Sequence, residues 1–538
     1  MNKSKASQTS YRHSTHIALG LVIVLYSIAA IARIPTNSAF YDAAQVLYLV
    51  KHSIAAGVLP LHGIINSQNL YNPPFFVWYY YIPALFTADP GIIFVIPNLA
   101  AQIATMLLLY VIGRDYFLPT TGLVAATLYV FSPLGIEFGR MGWAYAQTAP
   151  IYVAIIFCLF RWLISRQSIY IIPLIILCGW SFGVHLAGAL TFFVVGGAAL
   201  AWRTLPPLRP TLIGIGLLVL LWAPFFVFQA SRGFADIAGL VQPPLILPGE
   251  LSPLCPPDWN SLLPNATHTK NVTLDRIAAS IYNSTFINHR PTEIGRPMEL
   301  VITYDHIVLV GLSVLLALAG SYLVYRIVRR IATPAEQLLF LVLVAPIVLQ
   351  SLTPFNAVER PDITWTWLGV QALAVGYLLT APTVMQSRFM IIAVLIGLAV
   401  MMGYESYQTG HILQAWARGD LYDGRQEVAD VIAADAAERG VQHVAIRYDV
   451  LQEDPSLCWV VGMSTIIDTG YIGAEFDYYL RYMHNMQNTA QPPDGWVETP
   501  DYIVTKAISP RVAYYTAHPE RYTVLGARPP FQVWYYQR

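Results

Sequence analysis

Asp42 lies just beyond the first apolar stretch of the chain, in Phe40-Tyr41-Asp42-Ala43-Ala44-Gln45. A long amphipathic loop follows and closes on Tyr71-Asn72-Pro73-Pro74-Phe75-Phe76, with Trp78 close behind. A carboxylate held at a membrane surface, near a stiff Pro-Pro corner and aromatic rings, suggests chemistry on a lipid-borne substrate. The plainer alternative is a solvated helix start, where the dipole favours Asp. Asp42, Gln45 and Leu49 share one helical face, which predicts an interfacial helix with Val46 and Leu47 turned to the membrane.

A second group of chemically able residues sits in Ser132-Pro133-Leu134-Gly135-Ile136-Glu137-Phe138-Gly139-Arg140-Met141-Gly142-Trp143-Ala144-Tyr145. The guanidinium fork of Arg140 matches phosphate oxygens. The alternative is an interfacial arginine reaching for lipid headgroups, with Glu137 its helical partner three residues earlier. Arg360, in Phe355-Asn356-Ala357-Val358-Glu359-Arg360-Pro361-Asp362, is a second phosphate-binding candidate that Glu359 and Asp362 could neutralise. His185 stands at the corner Gly183-Val184-His185, where a lone histidine is commonly a hydrogen-bonded packing residue.

These residues need a membrane frame to bring them together. The chain has 538 residues, 56% hydrophobic and 12% charged, with a mean hydropathy of +0.51. Soluble domains carry roughly 25% charged residues, so the composition is that of an integral membrane protein. The formal net charge is zero, which removes any bulk electrostatic case for nucleic acid. The apolar stretch from about His16 to Ala32 has no small-residue cleavage signal and reads as a retained span.

Further spans are predicted at Gly91–Gly113, Thr120–Ile136, Tyr145–Ile164, Tyr170–Phe182, Leu186–Trp202, Thr211–Phe228, Tyr304–Tyr325, Gln337–Leu352, Thr364–Leu379 and Met390–Tyr404, for a helical fold of about 11–13 crossings. Pro74–Phe86 is short and rich in Tyr and Trp, which suits the interface. With the N-terminus in the cytoplasm, Arg114, Arg161, Arg166, Arg203, Arg209, Arg326, Arg329, Arg330 and Arg388 all fall in short cytoplasmic connections. The chemically able loops, residues 35–73 and 229–301 among them, then lie outside.

The transmembrane domain is expected over residues 1–407 and an extracytoplasmic α/β domain over 408–538. In the latter a helix runs from the cap at Asp423 to Gly440, with strands at Val441–Val450, Tyr502–Thr505, Tyr522–Leu525 and Phe531–Tyr536. No nucleophile motif or phosphate loop marks it, so a structural or substrate-gating role is expected.

The four cysteines match no zinc or redox spacing. Cys158 and Cys178 read as packing residues. Cys255 and Cys458 fall in outer polar segments, where a disulfide is one option. Asn265, Asn271 and Asn283 open Asn-x-Thr sequons in the long outer loop.

Together these segments resemble the GT-C glycosyltransferases, in particular the bacterial branch related to protein mannosyltransferases and aminoarabinose transferases. The resemblance rests on Asp42 after the first span, Ala55-Ala56-Gly57-Val58-Leu59-Pro60, the Tyr71–Trp78 Pro-Pro-aromatic segment, and Ser132-Pro133 with Arg140. Ala43 and Asn72 depart from it, standing where many relatives carry Glu and a basic residue. The resemblance implies inverting transfer of a sugar from a polyprenyl-phosphate donor to a lipid, glycan or protein. Asp42 would be general base, and Arg140 and Arg360 would receive the lipid phosphate. Glu137 and His185 would orient substrate or a bound cation, so a divalent metal stays open. Tyr71, Trp78 and Tyr145 would line the substrate site. A transporter or flippase of a lipid-linked substrate is the rival class, but it calls for ionisable residues at mid-span, and the spans here are almost free of charge.

Overall fold

The computed structural model describes residues 2–34, 42–64, 71–140, 142–235, 298–352, 366–381, 424–448, 501–506, 510–528 and 531–536, with isolated positions at 392, 395–400, 402–403, 484 and 487–488. Arg360, Cys255, Cys458, the three sequons and part of Met390–Tyr404 lie outside the described residues.

The chain is a multi-pass helical membrane protein. Among the described residues, five helices are long and apolar enough to cross a bilayer: Ser14–Ala32, Pro90–Tyr116, Ala144–Ile164, Leu208–Ser231 and Leu309–Val328. Shorter apolar helices occupy Pro119–Phe131, Ser168–Val184, Ala187–Ala201, Pro334–Leu349 and Leu368–Leu379. Each of these segments overlaps a span expected from the sequence. Two compact units are formed, one from Met1–Thr36, Phe94–Pro224 and His268–Leu421, the other from Asn37–Ile93, Phe225–Thr267 and Tyr422–Arg538.

The first unit is a helical bundle. Helix α1 (Asn2–Ala32), α4 (Pro90–Tyr116) and α5 (Pro119–Phe131) begin it, and prolines at the first position start α4 and α5 without losing a needed N–H. The backbones of α4 and α5 touch at a pair of glycines. A Cβ on Gly113 would stand 2.1 Å from Gly122 N, so neither position admits a side chain. A six-residue helix, α6 (Pro133–Phe138), precedes α7 (Ala144–Leu159), which continues through a wider turn at Phe160–Ile164. Then come α8 (Ile171–Val184), α9 (Leu190–Ala201), α10 (Leu208–Ser231), α11 (Met298–Val328), α12 (Pro334–Leu352) and α13 (Leu368–Leu379).

Helix α12 starts with a reciprocal cap. Thr333 N–H donates to Glu336 Oε2 at 2.7 Å, and Glu336 N–H donates to Thr333 Oγ1 at 3.3 Å. Helix α13 has 12 residues, about 18 Å of helix, well short of a ~30 Å hydrocarbon core. Its residues Leu368 to Tyr377 are all buried, and it packs chiefly on α5, where Thr121 and Thr380 share a hydroxyl hydrogen bond of 2.5 Å. It is wrapped by protein. By contrast α10 leaves most of its apolar side chains uncovered, as a lipid-facing helix should. Cys158 and Cys178 are buried free thiols, as expected.

In the second unit α2 (Asp42–Ala55) packs on α3 (Phe75–Ala84). Val46, Leu47 and Val50 are fully buried, as are Phe75, Phe76, Val77, Tyr80 and Ala84. The membrane-facing placement expected for Val46 and Leu47 is therefore corrected: an apolar helical face needs a partner, and here protein supplies it. Lys51 Nζ closes the pair by donating to the Ala84 carbonyl at 2.7 Å. That half-buried ammonium is pushed below its usual pKa by desolvation. Asp89 caps the helix start at Pro90 within this unit, its Oδ1 accepting from Gly91 N–H at 2.7 Å.

The C-terminal part holds a four-stranded mixed sheet and a two-stranded parallel pair. With β1 His443–Val444, β2 Ile446–Tyr448, β3 Gln487–Asn488, β4 Tyr502–Lys506, β5 Tyr522–Arg528 and β6 Phe531–Tyr536, the orders are β2-β4-β6-β5 and β1-β3. β2 runs parallel to β4, and β6 lies antiparallel to both β4 and β5, with Val504 opposite Val533 and Val524 opposite Trp534. Helix α14 (Gly424–Glu438) covers β5 and β6, and α15 (Pro510–Ala517) puts Tyr515 against Trp534. Tyr502, buried in β4, donates from Oη to Asp435 Oδ2 of α14 at 2.7 Å.

Candidate active site

The turn carrying Glu137 and Arg140 is built by local chemistry. Ser132 caps α6, its Oγ accepting from Gly135 N–H at 3.1 Å, and Pro133 supplies the first helical residue. Tyr26 of α1 donates from its hydroxyl to Gly135 O at 3.2 Å. A Cβ on Gly139 would meet that same hydroxyl at 2.2 Å, so a side chain here would push the Tyr26 hydroxyl aside. Glu137 is thereby buried at the end of α6. Arg140 Nε donates to its Oε2 at 2.7 Å, and Arg33 Nη1 lies 3.6 Å from its Oε1. Arg33 is fully buried and the Arg140 side chain is 11% exposed. Charges taken this far out of water persist only with close partners.

Tyr145 and His185 form a second pair in the same unit. His185 ends α8 and caps the turn Leu186–Ala189, its Nδ1 accepting from Ala187 N–H at 3.1 Å. That bond assigns the proton of the neutral ring to Nε2, which lies 3.3 Å from Tyr145 Oη and donates to it. The two rings are 5.0 Å apart, and Trp143 meets Tyr145 edge-on at 6.1 Å.

In the second unit Asp42 opens α2. Tyr71 belongs to an aromatic cluster with His62, at 4.7 Å between ring centres, and Phe228, at 5.2 Å. The Arg232 guanidinium lies 4.4 Å over the Tyr71 ring and 5.4 Å from Phe228. It has no carboxylate partner among the described residues. The strand-like bonds Gly63 N–H to Asn72 O (2.6 Å) and Asn72 N–H to Ile64 O (3.0 Å) hold His62 and Tyr71 side by side. Trp78 donates its indole N–H to Pro60 O at 2.8 Å, and its ring meets Phe75 edge-on at 5.5 Å. Among the described residues no three of His, Cys, Asp and Glu gather as metal ligands.

With this geometry in hand, the chain is similar along its whole length to ArnT from Cupriavidus metallidurans bound to undecaprenyl phosphate. The TM-score is 0.56, covering 96% of this chain and 97% of that one, at 11% identity. The fold is GT-C-like. The apo state of the same ArnT gives a TM-score of 0.54, also at 11% identity, over 96% of this chain and 98% of that chain. No protein-family model matches the sequence, and no curated protein matches it.

Within this GT-C-like fold, sequence reasoning passed over two cations. Arg33 directly follows the first span, a position that hides whether an arginine turns to headgroups or inward. Arg232 lies one residue past α10, and its aromatic partner Tyr71 is far away in sequence. Glu137 and Arg140 are brought together, as are Tyr145 and His185. Asp42, Tyr71 and Trp78 belong to the other unit.

Proposed function

We propose that the protein transfers a sugar from a polyprenyl-phosphate donor to an acceptor on the extracytoplasmic side, with inversion at the anomeric carbon. The observation that carries this reading is the likeness, over nearly all of both chains, to an ArnT holding undecaprenyl phosphate. The N-terminus is cytoplasmic in this reading, and the loops bearing Asp42, Glu137 and His185 face outward, consistent with the arginine-rich short connectors on the opposite side.

Asp42 is the general base. Its carboxylate takes the proton of the acceptor hydroxyl as the acceptor oxygen bonds to the anomeric carbon. The bond from that carbon to the phosphate oxygen breaks in the same displacement, and the polyprenyl phosphate leaves with the electron pair. A phosphate leaving group needs no strong acid, only positive charge to receive it. Arg140 and Arg360 are the first cations for that role, and Arg232 is added because its guanidinium stands on ring faces rather than on a carboxylate. Tyr71, Trp78 and the Tyr145–His185 pair bind sugar or prenyl chain by ring faces and hydroxyl hydrogen bonds.

The test is transfer itself. Purified protein in proteoliposomes, supplied with a polyprenyl-phosphate sugar and candidate acceptors, should release polyprenyl phosphate and form a product of inverted anomeric configuration. Movement of the donor across the bilayer with no glycosidic product would replace this reading with a flippase.

A further inference from the structure

Three helices of the first unit end on an arginine with a left-handed backbone: Arg166 (φ 60°), Arg203 (φ 47°) and Arg330 (φ 56°). In the second unit the residue in that conformation after α2, α10 and α14 is glycine, at Gly57, Gly233 and Gly440, with Phe234 directly after Gly233 sharing it. The ends at Arg203 and Arg330 close in the same way. Thr204 N–H reaches Ala199 O at 3.0 Å, and Ile331 N–H reaches Arg326 O at 3.0 Å. Glycine takes this backbone without steric penalty and other L-residues do not. The helix dipole alone does not account for the choice, because an arginine in the last turn would serve it with an ordinary backbone.

The three arginines lie at one end of the bundle. Arg166 Nη1 donates to Thr204 Oγ1 at 3.0 Å, Ser165 bonds Tyr116 at 2.6 Å, Phe117 packs on Tyr377 at 5.2 Å, and Tyr377 donates to Glu336 beside Arg326. At this end Arg114 and Arg161 are paired with Asp115, and Arg326 with Glu336. Arg203, Arg209, Arg329 and Arg330 are exposed and meet no carboxylate among the described residues. Arg209 even occupies the first turn of α10, where the dipole disfavours a cation. Exposed apolar side chains flank these arginines: Leu205 and Leu208 beside Arg203 and Arg209, and Val328 and Ile331 beside Arg330.

Cations alternating with uncovered apolar groups describe the boundary between hydrocarbon and headgroups. We propose that this end of the bundle binds anionic phospholipid headgroups, with Arg203 and Arg330 each holding a lipid phosphate and the left-handed helix end aiming the guanidinium along the membrane surface. The apolar flanks single out a lipid over free phosphate. This inference is independent of the transferase reading.

The experiment measures thermal unfolding of the full chain in phosphatidylcholine nanodiscs, with and without phosphatidylglycerol. Wild type should gain several degrees from phosphatidylglycerol. The R203G/R330G double variant should lose about half of that gain or more, while its midpoint in phosphatidylcholine alone stays equal or rises, since glycine relieves the backbone. R203K/R330K, which keeps the charge, should retain most of the gain. An undiminished gain in R203G/R330G would overturn the proposal. So would a fall in its midpoint in phosphatidylcholine, or reproduction of the wild-type gain by inorganic phosphate.

Discussion

Arg33 and Arg140 face opposite oxygens of a single buried carboxylate, Glu137, at 3.6 and 2.7 Å. One charge thus fastens the end of the first span to the turn after α5. Removing the shared carboxylate takes a close counter-charge from two buried guanidinium groups, and breaking such a buried pair typically costs about 3–5 kcal/mol. Glu137→Ala should lower stability by an amount of that order, read from unfolding in mild detergent. Replacing all three residues together with apolar side chains of similar volume should recover most of the loss. If that triple variant folds and still transfers sugar at the wild-type rate, Arg140 has no part in receiving the leaving group.

Asp42→Asn keeps shape and removes the base. Positioned general bases contribute roughly 10²–10⁴-fold, so kcat should fall by that factor with donor binding nearly unchanged. Wild-type turnover by the asparagine variant, in membranes supplied with donor, would take Asp42 out of the mechanism.

Arg232 and Tyr71 should act as one unit. Tyr71→Phe retains the ring beneath the guanidinium and should leave donor KM close to wild type. Tyr71→Leu and Arg232→Gln should each raise it several-fold. Because the residues are in contact, the double variant should be little worse than either single one. Full additivity in this cycle would mean that the stacked pair is not the functional element.

Tyr502 gives the C-terminal sheet a dependence on alkaline pH. Its phenol is held well above the usual range by burial first and by its bond to Asp435 second. A group whose folded pKa exceeds its unfolded value stabilises fully below the unfolded pKa, about 10 for tyrosine, and loses that contribution as pH rises. Stability of the C-terminal region of the full chain should therefore drop above about pH 10. Tyr502→Phe should start about 1 kcal/mol lower and show a shallower decline. Identical alkaline slopes for both proteins would count against this account.

Much of the frame could be read from residue types alone, because a run of apolar residues long enough for a bilayer has few other uses. Gly91–Gly113 and Thr211–Phe228 were expected within a few residues of α4 and α10, and β6 was expected over Phe531–Tyr536, where it lies. Helix α15 was not expected, since eight residues are too few to show a period. Periodicity marked Val46 and Leu47 as one apolar face but carried no information on whether lipid or protein would cover it. The site was harder still. Glu137 and Arg140 are close in sequence and their pairing followed from helical spacing, whereas Arg33 and Arg232 acquire meaning only from partners distant in the chain.

Helix α13 has no side left for lipid, and its main partner, α5, is made some 250 residues earlier. During synthesis the face of α5 bearing Thr121 and Ala125 must therefore wait beside acyl chains or insertion machinery until α13 emerges to displace them. Biogenesis of this bundle is consequently a late-closing process. Chains halted before residue 366 should present an unfilled seam to quality-control proteases, however well their earlier helices have inserted.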